Sequence, residues 1–466
     1  MHLKTRSLLL VPYLLGQVLA SANHSSSTSV NILNGTVLDV NDEASQVQRF
    51  LGIPYAQPPV GDLRLRQSIP LKATFGTLEA QSFGPACYGP EAESNPNSSE
   101  NCLTLNVWRG SGQNQLDALK PVMVWFYGGG LQTGYTADPR FEGTNIVRIS
   151  SEIGREILLV SVENIAAFGG DPGKVTVAGE SAGAVSGYSH MMAYGGRNDN
   201  LFRAGILESG GSFPLTYANT SSFQATFDSL ITGTACKSFA NTSADHQLDS
   251  VRKLPIETFL SSVGSSTGQS IDGSFTQTSL QFALEAGKYV KVATIVGTNT
   301  DEETNSAPTG INTTEKLDKK ACSIFGDIVQ IAPARMIAKT LSRKSHKENG
   351  DPPIYRYRFN HLPSDTAGSN LTAGIGTGVE QRYVFSNLVP GHPWDTALAE
   401  QVSRAWVSFV WGLDPNVEEH DSQMAWYGTD GKSMVFSGYG SSIEKDDYRA
   451  ETADYIIENV LPYGAL

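Results

Sequence analysis

The sequence predicts an α/β domain in which a mostly parallel sheet is covered by helices on both faces. Five short apolar runs have the composition of fully buried strands: 122–126, 157–162, 174–178, 204–207 and 293–296. Strands buried on both faces are typical of parallel sheets. Helical patterns at 181–192 and 397–411 follow some of these runs, and this alternation of strand and helix predicts a doubly wound arrangement.

The N-terminal part of the chain has a different pattern. Segments 30–40 and 48–52 look like strands without intervening helices, and they predict a small antiparallel ribbon at one edge of the sheet. We find no internal repeat and no long linker, so residues 23–466 are predicted to form one domain. A chain of 466 residues with 40% hydrophobic residues can bury a large core.

The first 22 residues have the organisation of a secretory signal peptide. A cationic start at 2–6 precedes an apolar run at 7–19, and Ala20-Ser21-Ala22 is a small-residue cleavage pattern. No later segment approaches about 18 continuous apolar residues, so no transmembrane segment is predicted. Glycosylation sequons fit a secreted, extracellular glycoprotein, and they lie at Asn23, Asn34, Asn97, Asn219, Asn241, Asn312 and Asn370.

The charge balance excludes some classes of partner. Thirty-four basic and 47 acidic residues give a net charge of −13, and no basic run offsets it. Such a surface repels phosphate backbones and anionic lipid headgroups. We therefore expect neither nucleic-acid binding nor peripheral membrane binding.

Four cysteines are present, and an oxidising compartment favours pairing of the two that lie close in sequence, Cys87 and Cys102. Cys236 and Cys322 are far apart. They are either a second pair or two buried free thiols, and the sequence leaves both alternatives open.

The segment 174–184 indicates a nucleophilic serine. A β-rich run ends in Gly179-Glu180-Ser181-Ala182-Gly183 and continues into small residues that begin a helix. A serine between two glycines in a strand–turn–helix context is typical of a nucleophile elbow, in which a strained turn lifts the hydroxyl clear of the sheet. A plain structural turn explains the glycines but not the strand before them.

A second glycine cluster lies upstream, where the buried strand 122–126 and Tyr127 are followed by Gly128, Gly129 and Gly130. Consecutive glycines allow amide N–H groups to face the oxyanion that forms when a serine attacks an ester carbonyl. Each such donor typically contributes about 2.7–4 kcal/mol to transition-state stabilisation. The amides of Gly129, Gly130 and Ala182 are the candidates.

These motifs and three further segments resemble the type-B carboxylesterase family, which includes cholinesterases, fungal lipases and catalytically silent adhesion proteins. The segments are 50–64, 100–108 and 164–172. The resemblance implies an α/β-hydrolase fold, a Cys87–Cys102 disulfide and an oxyanion hole at Gly129, Gly130 and Ala182. It also implies that Glu302 is the acid of a catalytic triad and that Ser209 supports the triad.

The resemblance fails at the triad base. The family has a histidine shortly before a Tyr/Phe-Val-Phe element, and alignment on Val384-Phe385 places Thr377 there. Threonine cannot act as a base at neutral pH. His361 and His392 follow the acid in chain order but lie outside the family's base loop, and His190 precedes the acid, so a structural role is the better interpretation for each.

The chain also lacks segments that the family has, near 162–163 and within 303–324. The strands 157–162 and 174–178 are joined by fewer residues than a parallel crossover usually needs. Two explanations are open: a defective gene model or degenerate copy, or a genuine pseudoenzyme whose groove binds without hydrolysing.

The function predicted from these features is a secreted carboxylic ester hydrolase that acts through an acyl-enzyme at Ser181 on a small-molecule or lipid ester, without a metal or other cofactor. The alternative is a catalytically impaired or inactive binding protein on the same fold. A lipase with a lid, for which the 87–102 loop is a candidate, is a third possibility. The sequence does not indicate the ester's identity or the oligomeric state.

Overall fold

The computed structural model describes most of the chain. The described ranges are 28–42, 44–89, 97–111, 118–160, 165–211, 218–263, 269–303, 315–343, 350–366, 374–389, 391–416, 424–425, 427–428 and 430–460. The predicted signal peptide lies outside them.

Eighteen strands occur in the described ranges. In chain order they are β1 (Ser29–Ile32), β2 (Gly35–Leu38), β3 (Val40–Asp42), β4 (Val47–Pro54), β5 (Gly76–Glu79), β6 (Ala86–Cys87), β7 (Ser98–Ser99), β8 (Thr104–Gly110), β9 (Lys120–Phe126), β10 (Leu158–Val160), β11 (Gly170–Glu180), β12 (Ala204–Glu208), β13 (Ala218–Asn219), β14 (Ser270–Ile271), β15 (Ala293–Asn299), β16 (Ile354–Phe359), β17 (Lys432–Phe436) and β18 (Ser442–Lys445).

Eleven α-helices are described as well: α1 (Thr144–Glu152), α2 (Ala182–Gly196), α3 (Gln224–Gly233), α4 (Ala244–Arg252), α5 (Ile256–Val263), α6 (Leu280–Glu285), α7 (Glu315–Gly326), α8 (Ala332–Arg343), α9 (Gln381–Val384), α10 (Pro393–Gly412) and α11 (Ala450–Asn459). A π-helical turn, Asp327–Ile331, joins α7 to α8.

One large sheet of eleven strands organises the domain, in the order β18-β17-β16-β15-β12-β11-β9-β10-β8-β4-β3. The seven strands from β17 to β10 pair in parallel, and the outer strands at both edges pair antiparallel. Every residue of β12 and β15 is buried. The predicted fold class is therefore confirmed.

Helices cover both faces of this sheet. On one face α1 and α10 pack on side chains such as Met123, Trp125 and Ile295. On the other face α2 and α8 pack on Leu207 and Val296. Because β9, β11, β12 and β15 are parallel, the loops that follow them leave the same edge of the sheet, and ligand sites of open α/β sheets lie at this edge.

The predicted N-terminal antiparallel edge is confirmed, although its strands divide between two sheets. β1 and β2 form a hairpin, but β2 pairs in parallel with β5 in a separate three-stranded sheet. β4 instead joins the large sheet, where it pairs with β3 and β8. The sequence pattern identified the strands but not their partners, because β5 and β8 come from later in the chain.

The connection between β10 and β11 is short for a crossover. Both strands pair in parallel with β9, which lies between them. Only residues 161–169 connect them, and the described part of that link is a 3₁₀ turn, Ile165–Phe168. Parallel crossovers usually need a dozen or more residues.

One of the sequons is buried. The Asn34 side chain is 7% exposed, and its amide nitrogen donates hydrogen bonds to the carbonyl oxygens of Leu71 (2.7 Å) and Ala73 (3.1 Å). The folded protein therefore holds this amide inside, away from a glycosylating enzyme. Asn241, in contrast, is exposed.

Within the described ranges, one helical stretch is long and apolar enough to span a bilayer by length and composition. It is Lys319–Arg343, and 72% of its apolar window is buried inside the protein. This burial is typical of a core helix in a globular domain.

Candidate active site

Ser181 lies in the tight turn between β11 and α2. Its backbone has φ +53° and ψ −122°, a conformation that side-chain-bearing residues rarely adopt. A Cβ atom at Gly183 would lie 1.9 Å from the carbonyl oxygen of Phe126, and one at Gly179 would lie 2.6 Å from the carbonyl carbon of Gly183. Positions 179 and 183 must therefore be glycine. The Ser181 N–H donates a 2.8 Å hydrogen bond to the carbonyl oxygen of Glu208.

The three glycines after β9 lie beside this serine. A Cβ atom at Gly128 would lie 3.2 Å from the Cβ of Ser181. Gly129 and Gly130 have φ +118° and +62°, which turns the backbone sharply at this point. Among the described residues, the N–H groups of Gly129 and Gly130 donate no backbone hydrogen bond. The Ala182 amide is at the first position of α2, where N–H groups have no partner within the helix.

Glu302 lies in the loop after β15 and is 1% exposed. Its Oε1 accepts a 2.6 Å hydrogen bond from the Asn299 N–H, and its Oε2 accepts a 2.8 Å hydrogen bond from the Thr377 hydroxyl. Burial, with the nearby carboxyl group of Glu380, raises the pKa of Glu302 to about 8. The predicted acid and the residue at the predicted base position are thus in direct contact.

The Thr377 hydroxyl has no capacity left to accept a proton from Ser181. It donates to Glu302, and its oxygen accepts from the Glu303 N–H (3.1 Å) and from Gln330 Nε2 (3.2 Å). A hydroxyl has one donor and two acceptor positions, so these three bonds use all of them. Among the described residues, no hydrogen bond to the Ser181 hydroxyl is found.

The three histidines considered from the sequence lie elsewhere. The ring of His361 is held by Asp395 Oδ1 (2.5 Å) on Nε2 and by the Gly438 N–H (3.3 Å) on Nδ1. His392 is the residue before α10. His190 is exposed on α2 and stacks on Phe126, with its Nδ1 bonded to a backbone carbonyl. None of these contacts is with Ser181 or Glu302.

Ser209 is close to the acid but donates its hydrogen bond to another carboxyl group. It follows β12 with φ +48° and is 1% exposed. Its hydroxyl donates to Glu380 Oε1 (3.0 Å), and Asn299 Nδ2 donates to Glu380 Oε2 (2.6 Å). Ser209 also helps to lower the pKa of Glu302.

Sequence reasoning missed a cluster of buried carboxyl groups around this site. Glu180, Glu208 and Glu380 are each 3% exposed or less, and together with Glu302 they form a group of four. Burial is the main reason that the pKa of each is raised above its usual range. The signal was present in the sequence, because Glu180 and Glu208 directly precede the two strained serines and Glu380 follows Thr377 by three residues.

Cys87 and Cys102 form the predicted disulfide, with their Cα atoms 5.0 Å apart. Cys236 and Cys322 are both buried and form no disulfide, which decides between the two alternatives for them. Next to the disulfide, Arg64 binds Glu100 through two nitrogen atoms, at 2.6 and 2.7 Å.

Replacing both disulfide cysteines, as in Cys87→Ser with Cys102→Ser, is expected to lower the free energy of unfolding by roughly 3 kcal/mol. The cysteines are 15 residues apart, and closing a loop of that size removes about this much entropy from the unfolded chain. Denaturant unfolding of the double variant and of the parent measures this difference in the free energy of unfolding. The matched control, Cys236→Ser, breaks no bridge, and an equal loss in that variant would contradict the expectation.

Comparison with known proteins shows the family to which the chain belongs. A family model described as the carboxylesterase family matches residues 23–163 and 158–321. The chain belongs to the carboxylesterase family. It is 26% identical to secreted lipase 1 of Botryotinia fuckeliana, with 94% of each chain covered. It is 27% identical to lipase 2 of Geotrichum candidum over 97% of this chain and 98% of that protein.

Among solved structures, the fold resembles that of Aspergillus niger EstA, with a TM-score of 0.78 and 23% sequence identity over 93% of this chain and 99% of that chain. This likeness supports the α/β-hydrolase fold. As a carboxylesterase family member, the chain is classed with carboxylic ester hydrolases.

The comparisons also bear on the short β10–β11 connection. The alignment with the Botryotinia lipase runs over 552 positions, whereas this chain has 466 residues, so the relative has residues at no fewer than 86 positions where this chain has none. The two matched segments of the family model meet at residues 158–163, where β10 ends.

Proposed function

We propose that this carboxylesterase family member is a secreted hydrolase of carboxylic esters that forms an acyl-enzyme at Ser181. The observation that carries the proposal is the strained elbow, which presents a half-buried serine hydroxyl beside glycine amides that have no other backbone partner. Secretion is supported by the predicted signal peptide and by relatives named as secreted lipases.

In the proposed reaction the Ser181 Oγ attacks the ester carbonyl carbon. The carbonyl oxygen takes up the negative charge and is stabilised by the N–H groups of Gly129, Gly130 and Ala182. Collapse of this intermediate expels the alcohol and leaves an acyl group on Ser181, which water then removes. The substrate class is a small-molecule or lipid ester, consistent with relatives named lipases and an esterase.

The second candidate is a catalytically impaired or inactive binding protein on the same fold. The observation in its favour is Thr377, whose hydroxyl is fully used by other partners and cannot serve as a base. The named relatives above are lipases and esterases and give this alternative no support. An inactive binding protein would not be acylated at Ser181, and an impaired one would be acylated only slowly.

Ser181→Ala is expected to abolish covalent labelling by a fluorophosphonate and the burst of p-nitrophenol from a short-chain p-nitrophenyl ester. The reason is that alanine removes the attacking oxygen while keeping the elbow backbone. Mass spectrometry of the labelled peptide identifies the modified residue. Ser186→Ala, one turn along α2, is the matched control and should label like the parent. Absence of labelling in the parent itself would exclude the proposed acyl-enzyme.

A further inference from the structure

The carboxyl group of Glu180, the residue before Ser181, is only partly satisfied. Glu180 is 3% exposed, and its Oε2 accepts a 2.6 Å hydrogen bond from Gln381 Nε2. Its Oε1 is buried and has no hydrogen-bond partner among the described residues. A buried polar atom without a partner is costly, so its retention needs an explanation.

This carboxyl group lies between Ser181 and the loop that carries Thr377. A Cβ atom at Gly128 would lie 3.2 Å from the Ser181 Cβ and 2.7 Å from Glu180 Oε2, so that oxygen is at most 5.9 Å from the Ser181 Cβ. On the other side, a Cβ atom at Gly378 would lie 3.4 Å from Glu180 Oε1. Among the described residues, the Glu180 carboxyl group makes no direct hydrogen bond to the Ser181 hydroxyl, and a separation within this limit leaves room for one bridging water.

We propose that Glu180 is the proton acceptor for Ser181 in this chain, acting through one water molecule. The inference rests on the proposed function and assigns the base that this function lacks. Thr377 cannot take this role because its hydroxyl already makes three hydrogen bonds, and Glu302 is in contact with Thr377 rather than with Ser181.

The proton balance of the reaction closes. As Ser181 Oγ bonds to the carbonyl carbon, its proton passes to the water and a water proton passes to the Glu180 carboxylate. When the bond to the alcohol breaks, protonated Glu180 returns a proton through the water to the departing alkoxide. In deacylation the same carboxylate takes a proton from the attacking water and returns it to Ser181 as the acid leaves.

The electrostatic surroundings suit this role. Burial, followed by the nearby carboxyl groups of Glu380, Glu302 and Glu208, raises the pKa of Glu180 well above its usual range, and Arg140 opposes this. A carboxylate with raised proton affinity is a stronger base than an ordinary surface glutamate. Labelling of Ser181 should therefore become faster as the pH rises through the titration of this group.

A double-mutant cycle tests the proposal. Glu180→Gln is made in the parent and in Thr377→His, and the rate of fluorophosphonate labelling at Ser181 is measured against pH. In the parent background Glu180→Gln is expected to lower the rate by about 10²-fold or more and to remove its pH dependence. In the Thr377→His background the loss should be much smaller, because the imidazole then takes the proton.

Glu208→Gln is the matched control. It removes a carboxyl group of the same buried cluster, but the Glu208 side chain accepts its hydrogen bond from Trp406 Nε1 (2.7 Å). Because Glu208 is one of the groups that raise the pKa of Glu180, this variant should keep the pH dependence of labelling but shift its midpoint to lower pH, and above that midpoint its rate should be near that of the parent. A loss equal to that of Glu180→Gln would mean that cluster charge, not Glu180, is responsible, and it would overturn the proposal.

Two other outcomes overturn it: an unchanged rate in Glu180→Gln, or an equal loss in both backgrounds. If Glu180→Gln is labelled as fast as the parent, only the role of Glu180 is overturned. If neither the parent nor Thr377→His is labelled at Ser181, the proposed function is overturned as well. Should Glu180→Gln not fold, Glu180→Asp keeps the charge but withdraws the carboxyl group by one methylene, and a rate equal to the parent's then overturns the proposal.

Discussion

Thr377→His is expected to raise the rate of short-chain ester hydrolysis by up to roughly 10²–10⁴-fold, the usual contribution of a general base, less the part that Glu180 already supplies through water. The Thr377 hydroxyl lies 2.8 Å from Glu302 Oε2, so an imidazole attached at the same backbone position would be held by the carboxyl group predicted to orient it. The gain should appear in kcat as well as in kcat/KM, because a base acts in the transition state.

Steady-state hydrolysis of a p-nitrophenyl ester measures the gain. Thr377→Asn is the matched control, since an amide can bond to Glu302 but cannot accept a proton at neutral pH, and it should show no gain. Adding Ser181→Ala to Thr377→His should remove the gained activity. If Thr377→His gains nothing although Ser181 can still be labelled, position 377 does not supply the base, and the groove is adapted for another purpose.

The folded protein is expected to lose stability as the pH rises from about 5 to 8. Glu302 binds its proton more tightly in the folded protein, where burial and Glu380 raise its pKa to about 8, than in the unfolded chain. Between the two pKa values the folded state holds more protons, so the free energy of unfolding falls with rising pH. For a carboxyl group whose pKa is about 4.3 in the unfolded chain and about 8 in the folded protein, the free energy of unfolding falls by an amount on the order of 5 kcal/mol once the pH exceeds 8.

Denaturant unfolding at a series of pH values measures this slope. Glu302→Gln should make the slope less steep, because the amide does not titrate and can still accept the Asn299 N–H, while the other buried glutamates continue to contribute. Glu444→Gln, at an exposed carboxyl group that pairs with Arg358, is the control and should keep the slope of the parent. A slope unchanged by Glu302→Gln would show that this group does not carry the raised proton affinity.

The activity of Thr377→His and the pH dependence of stability both depend on the contact between position 377 and Glu302. A histidine at position 377 becomes positively charged when it accepts a proton, and a cation beside Glu302 lowers the pKa of that carboxyl group. Thr377→His should therefore also reduce the pH dependence of stability. In the chain as it stands, the described contacts of Glu302 include no cation that compensates its ionised form.

Much of this protein follows from local sequence. The alternation of buried strands and helices predicted the parallel sheet, because burial on both faces leaves a continuous apolar run in each strand. The elbow at Ser181 and the turn at Gly128–Gly130 were visible because steric conflict with nearby backbone allows only glycine there. The Cys87–Cys102 pair was predictable because its partners are close in sequence.

Only the tertiary structure decided what surrounds those motifs. The hydroxyl of Thr377 is used up by groups from residues 302, 303 and 330, which lie 47–75 positions away, and no local pattern encodes that meeting. The same holds for the four glutamates that converge from separate strands and loops, and for Asn34, which reads as a surface sequon but is buried by Leu71 and Ala73. Sequence determined which residues can turn, pack or react, because those properties depend on neighbours along the chain. The absence of the expected histidine was visible in the sequence, whereas the state of each polar group around Ser181 depended on partners brought together by folding.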